Sequence, residues 1–306
     1  MDRLFVPDLW ILVTLAAAVF QTGRFMLQKH LATDTLSAGG ATFSRFLYSA
    51  PFVALLLPIY LSLSGQALPP LEPGFWIYGL LGGTAQIMAT VCVVLLFKQR
   101  NFAVGITFKK TEVIQTVLMG WIVLGEGVSA LGFAAIALGV VGLLLLSGGA
   151  EAKGLRLADL RNRAAGLGIA SGFLFSISAV CYRGASLAVA SDDPLLRAGV
   201  TLAAVVLMQT LIMAVWLRLR EPGQMRRVWA ARRVAVWIGL TSMGGSLCWF
   251  IAFTLQNAAY VKALGQVELI LSIAASTLFF RERISSREWS GMAVLAASIL
   301  MLVLVT

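Results

Sequence analysis

Two stretches of this chain carry one pattern, NFAVGITFKKTEVIQTVLMGWIVLGE at 101–126 and NAAYVKALGQVELILSIAASTLFFRE at 257–282. Laid over one another at a shift of 156 residues, they align Asn101 with Asn257, Ala103 with Ala259, Glu112 with Glu268 and Glu126 with Glu282. Just upstream, Phe97 falls on Phe253 in the same register. Each stretch reads as a loop, an apolar helix with a carboxylate near its centre, and a turn bearing a second glutamate. Self-similarity at a fixed shift marks a repeated structural unit. Elsewhere the register slips, and Arg24 pairs with Arg183 at a shift of 159.

Working outward, the composition is 59% hydrophobic and only 12% charged. A soluble domain carries about 25% charged residues, so water is not the main solvent of this chain. A hydrocarbon core about 30 Å thick needs about 20 apolar residues per helix, with every backbone polar group satisfied internally. Ten apolar runs fit: Leu9–Leu27, Gly39–Leu61, Phe75–Phe97, Phe102–Leu124, Ala130–Leu146, Ala165–Leu187, Pro194–Leu217, Val234–Phe253, Ala258–Phe280 and Trp289–Val305. The fold class is all-α and polytopic, with about ten transmembrane helices in two five-helix repeats. The first repeat spans 1–148 and the second 165–306, joined by a basic loop at 149–164. Five spans per half is odd, so the second half enters the membrane from the opposite side: the repeats are inverted.

The formal charge of +10 comes from basic residues spread over short loops, among them Lys29, Lys98, Arg100, Arg156, Arg226, Arg232, Arg281 and Arg287. They lack the aromatic interleaving of a nucleic-acid groove, so no nucleic-acid partner is expected. Their alternation is topological: the positive-inside rule places these loops in the cytoplasm and both termini outside. The other connections carry little beyond Arg3 and Lys262. Asp2 beside Arg3 and the length of the first apolar run mark a retained helix rather than a cleaved leader. Cys92, Cys181 and Cys248 lie in apolar runs without metal or redox spacing and read as small apolar fillers.

From these residues the chain resembles the drug/metabolite transporter superfamily, in its two-repeat EamA branch. The resemblance covers nearly the whole chain. It is most specific where the fourth span runs into Leu124–Glu126 before a Gly-rich fifth span, echoed by Arg281–Glu282 before the last span. It implies a multi-pass protein of the bacterial inner membrane, functional as a monomer and without a cofactor, that moves metabolites such as amino acids, export being the favoured direction. Drugs, organic cations or a lipid-linked metabolite are the alternative cargoes. Where many members have a proline in the fourth and ninth spans, this chain has Lys110-Thr111-Glu112 and Gln266-Val267-Glu268.

Ionisable residues at mid-bilayer cost several kcal/mol and normally face a cavity or a partner. Lys109, Lys110 and Glu112 fall at the centre of the fourth span, and Glu268 at the centre of the ninth. On a continuous helix Glu112 shares a face with Lys109, Gln115 and Thr116, while Lys110 points away; Gly265, Leu264, Leu271 and Ser272 flank Glu268. A lysine and a carboxylate in one cavity complement a zwitterion, and a midplane glutamate is suited to carrying a proton. The competing reading is that buried ion pairs only fix helix register. Arg24 and Arg183 sit near the ends of their spans, where snorkelling and pore lining are equally compatible with the spacing. Arg45 and Arg197, early in the second and seventh spans, are candidates for a gate or for the substrate's anionic group, and Gln86, Trp249 and Tyr78 for cavity lining. Glu126 and Glu282 read as capping or packing residues in turns.

No nucleotide, dinucleotide or nucleophile motif is present, and the single histidine, His30, has no ligand cluster around it, which excludes the common enzyme classes. The sequence reads as a secondary transporter working by alternating access.

Overall fold

The computed structural model describes residues 8–34, 36–97, 108–147, 163–271 and 285–306, with 29–34 and 147 by backbone alone. Its helices are α1 (Leu9–Asp34), α2 (Ala38–Ser64), α3 (Gly74–Phe97), α4 (Glu112–Leu124), α5 (Ala130–Ser147) and α6 (Arg163–Leu187). They continue as α7 (Pro194–Arg220), α8 (Gln224–Ala230), α9 (Arg232–Leu255), α10 (Ala258–Leu264) and α11 (Ser286–Val305). Among the described residues the only β-contact is one antiparallel bridge, Leu71 to Val189, tying the α2–α3 connection to the α6–α7 connection.

Seven of the described helices are long and apolar enough to cross a membrane, and α4 and α5 are shorter apolar helices. The distribution of polarity agrees with a bilayer. Leu55, Leu63, Ile77, Trp121, Ile122, Leu207, Leu211, Leu300 and Leu304 are exposed, whereas Arg24, Arg45, Lys109, Lys110, Glu112, Thr90 and Gln209 are buried. A water-soluble protein inverts that arrangement, because exposed large apolar surface and buried charge are both costly in water. Buried hydroxyls are satisfied locally: Thr14 donates to the Trp10 carbonyl at 2.6 Å and Thr116 to the Glu112 carbonyl at 2.7 Å, the usual device of membrane helices.

Helix pairing follows the repeat. α3 lies along α6 and α1 along α9, while α2 packs on α7 and α5 on α11. Since α1 corresponds to α6 and α3 to α9, the first two pairs exchange under the repeat and the last two map onto themselves, as a two-fold relation between halves requires. Small residues permit the closest approach. A Cβ at Gly142 would lie 2.8 Å from the Leu295 backbone nitrogen, and Ser298 Oγ donates to the Ala135 carbonyl at 2.7 Å across the α5–α11 contact.

Two segments differ from the sequence reading. The connection read as polar loop around 218–233 contains α8, which turns at Gly223 in the left-handed region, φ 88°, and buries Val228. Tyr48 Oη donates to the Val228 carbonyl at 3.1 Å and pins this helix against α2. The fourth and ninth spans are not continuous helices but turn at Lys110–Thr111 and Gly265–Gln266.

At the start of α7, Asp193 accepts from the Leu195 and Leu196 amides at 2.9 and 3.3 Å, with Pro194 following in the first helical turn. It also accepts from Gln66 Nε2 at 3.1 Å and from the Tyr60 hydroxyl. Burial pushes the Asp193 carboxyl up, but these donors outweigh it and hold it below the usual carboxylate range. A lowered folded-state value means the cap stabilises at neutral pH and is lost as pH falls through that range. Asp193→Ala is expected to lower stability by about 1 kcal/mol, read as a drop in thermal midpoint at pH 7 that narrows toward pH 3.

Candidate functional site

The site is built on two interrupted spans. At Phe108–Lys109 the fourth span is helical, it turns through Lys110–Thr111, and α4 resumes at Glu112. In the ninth span α10 ends at Leu264, the chain turns at Gly265–Gln266, and helix resumes through Glu268. Both turns are closed by three-residue hydrogen bonds: Thr111 N to Phe108 O at 3.2 Å, Gln266 N to Ala263 O at 3.1 Å and Glu268 N to Gly265 O at 3.2 Å. A tight turn inside a helix frees backbone groups and is often a hinge. It also puts each glutamate in the first turn of a resumed helix, where the positive end of the helix dipole favours a carboxylate.

Close packing forces these turns inward. A Cβ at Gly172 of α6 would lie 2.9 Å from the Lys109 carbonyl oxygen, and one at Gly265 would lie 2.5 Å from Trp249 Cη2. Gln115 takes part in this packing rather than in a cavity: its Nε2 donates to Thr111 Oγ1 at 3.2 Å, and its Oε1 would meet a Gly172 Cβ at 3.0 Å.

Glu112 holds two lysines. Lys109 Nζ is 3.2 Å from Oε2, and Lys262 Nζ, from the other half of the chain, is 2.5 Å from Oε1. Lys262, counted from sequence with the sparse charges of the outer connections although it falls inside the ninth apolar run, is a central partner of Glu112, reaching it from α10 before the turn at Gly265. Its ammonium lies 5.0 Å from the Trp249 ring centroid and 5.6 Å from that of Phe175, and Lys109 lies 5.2 Å from Phe175, so aromatic faces replace part of the lost hydration. Glu268 accepts from Gln21 Nε2 at 2.7 Å, and Gln21 Oε1 accepts from Arg24 at 3.4 Å.

Beside this cluster a cavity opens between the halves. Its polar wall comprises Gln21, Arg24, Arg45, Gln86, Tyr182 and Ser246, its aromatic wall Phe175, Trp249, Phe250 and Phe253, with Lys262 where the walls meet. Gln86 accepts from Tyr182 Oη at 3.0 Å and from Gln209 Nε2 at 2.9 Å. Arg45 donates to Thr90 at 3.2 Å and Ser246 at 3.4 Å.

Of the sequence candidates, Lys109, Lys110, Glu112 and Glu268 converge on the cluster, and Arg24, Arg45, Gln86 and Trp249 face the cavity. Three others lie elsewhere. Arg183 neither snorkels nor lines the cavity: it donates to both Glu126 oxygens at 2.8 and 2.7 Å and to the Phe253 and Gln256 carbonyls at 2.6 and 2.8 Å. Arg197 turns to the Ser191 carbonyl in the α6–α7 connection. Tyr78 packs on Gly184, where a Cβ would be 3.0 Å from its ring. Ser272 and Glu282 lie outside the described residues, as does most of the 149–164 loop. Gln21, Tyr182 and Lys262 were missed. Lys262 alone carried a signal, as a lysine inside an otherwise apolar run.

Residues 8–148 and 162–304 each match the EamA-like transporter family. The chain belongs to that family. This EamA-like protein is thus a membrane transporter of the drug/metabolite superfamily, and each matched segment contains one interrupted span. A solved structure described as "Crystal structure of protein" resembles it with a TM-score of 0.68 at 17% identity, over 95% of this chain and 99% of the other, a likeness of fold. No curated protein matches it.

Proposed function

We propose that the protein is a monomeric secondary exporter of small polar or zwitterionic metabolites such as amino acids, working by alternating access between its two halves. The observation that carries this reading is the paired interruption of the fourth and ninth spans, which brings Glu112, Glu268, Lys109 and Lys262 together beside a cavity between the repeats. Interrupted helices at a repeat interface supply ion-binding helix ends near the midplane. The basic connections face the cytoplasm and both termini face outward, by the positive-inside asymmetry.

Above the cavity, the Arg183 clamp is the seal on the face with few charges: Phe253 lines the cavity, and its carbonyl accepts from Arg183. Glu268, held by the neutral amide of Gln21, is the carboxylate through which a proton gradient couples to the solute.

Counterflow in proteoliposomes, with and without a pH gradient, tests the reading. The purified protein exchanges an amino-acid-like solute, and a pH gradient accelerates net transport. Glu268→Gln inserts normally and loses proton-driven transport. Full proton-driven transport by that variant removes the coupling assignment, and no exchange of any small solute by the wild type removes the transport reading itself.

A further inference from the structure

Among the described residues, the centre of the protein carries more buried cations than carboxylates. Arg24, Arg45 and Lys262 line the cavity, Lys109 and Lys110 are buried in the adjoining cluster, and among the described residues only Glu112 and Glu268 oppose these five cations. The imbalance is local. Glu112 is engaged by Lys109 and Lys262, so it is not available to the arginines. Glu268 accepts from Gln21, which stands between it and Arg24.

Arg45 is the unmatched member, and Arg24 meets a carboxylate only indirectly, through Gln21 to Glu268. Arg45 is 4% exposed and meets Thr90 and Ser246, both neutral; it has no ion pair with a carboxylate among the described residues. Arg24 is likewise 4% exposed, its Nη2 makes one long bond of 3.4 Å to Gln21, and its Nη1 has no hydrogen-bond partner. A buried guanidinium without a counter-charge is costly, and its planar fork is shaped to hold a carboxylate or phosphate through two parallel bonds. Both side chains border the same cavity, along with Ser246, Gln86 and Tyr182 as neutral hydrogen-bonding groups.

We infer that the transported solute is itself an anion, carrying at least one net negative charge, whose acidic group sits between Arg24 and Arg45. Within the amino-acid-like class, acidic members are favoured over neutral ones and cationic ones are excluded by repulsion. This rests on the transport reading and narrows it: the lysine–glutamate cluster is internally paired, and the recognition charge is supplied by the arginines.

The test is solute-dependent thermal stabilisation of the purified full-length protein, followed by counterflow of the same compounds. The probes are L-aspartate, succinate and inorganic phosphate against L-alanine, L-lysine and choline at matched ionic strength. At least one of the anions raises the thermal midpoint and exchanges across liposomes, and the neutral and cationic probes do neither. Arg45→Gln and Arg24→Gln, each checked for its own cooperative melt, weaken half-saturation by that anion roughly 10- to 100-fold, as loss of a charge-assisted pair does. Arg45→Lys keeps the charge without the fork and falls between. Arg218→Gln, at the exposed end of α7, matches the wild type.

Stabilisation by L-lysine or choline equal to that of the anions overturns the inference, as does anion binding undiminished in both arginine variants. If L-alanine exchanges and no anion does, the transport reading stands and the anionic solute is rejected. If nothing exchanges and no midpoint moves, both are rejected.

Discussion

Replacing Glu112 with Gln is expected to abolish transport while leaving the protein inserted in the membrane and less stable by about 3–5 kcal/mol, the usual cost of stripping one partner from a buried pair. The size follows from what Glu112 holds. Its two oxygens face Lys109 at 3.2 Å and Lys262 at 2.5 Å, so the neutral amide leaves two buried ammonium groups without the carboxylate that both contact. Combining Glu112→Gln with Lys262→Met removes one of those cations and is expected to recover part of the thermal midpoint without recovering transport. Equal midpoints for Glu112→Gln and the wild type would show that the carboxylate is not the electrostatic centre of the cluster.

The second large effect is expected at Arg183. Four hydrogen bonds from this side chain join α6 to the turn after α4 and to the end of α9. Arg183→Ala breaks all of them at once and leaves the C-terminal carbonyls of α9 without their cationic partner. A cysteine at Ser178, on the cavity wall, reports the consequence when Cys92, Cys181 and Cys248 are replaced by alanine. A membrane-impermeant thiol reagent added from the Glu126 side is expected to label it in Arg183→Ala and to spare it in the parent. Arg183→Lys, whose single ammonium cannot hold Glu126 and both carbonyls from separate nitrogens, falls between them. Equal labelling in all three removes the sealing role.

How much of this was legible in the sequence depended on range. The all-helical membrane build and its two repeats were legible, because apolar length is a one-dimensional property and the register linking Glu112 to Glu268 survives in single residues. The convergence of Lys109, Glu112 and Glu268 was accessible too, since charge in a lipid-length helix has few places to go. Lys110, by contrast, reads on an unbroken helix as pointing away from Glu112 and joins the cluster only because the chain turns at Lys110–Thr111. The interruptions were not legible. No proline marks Lys110–Thr111 or Gly265–Gln266, and the tight turns arise from tertiary contacts, Gly172 against the Lys109 carbonyl and Gly265 against Trp249. With the ninth span read as unbroken, Lys262 had no route to Glu112. Arg183 was undecided for a similar reason: its partners stand 57, 70 and 73 residues away in the chain, and no local spacing announces them. Gln21 and Tyr182 are ordinary polar residues in apolar runs, and only the cavity between helices sets them apart.

The reciprocal pairing of helices has a consequence for descent. Two identical half-length chains assembled around the same axis would display every central charge twice. Here the first half contributes Arg24, Arg45, Lys109, Lys110 and Glu112, the second Lys262 and Glu268, and Arg45 has a threonine, Thr201, at the matching position of the second half. Joining the halves in one chain fixed their ratio and orientation, so each could mutate without the change being mirrored in its partner. A central charge as lopsided as this one is unavailable to any symmetric pair of subunits.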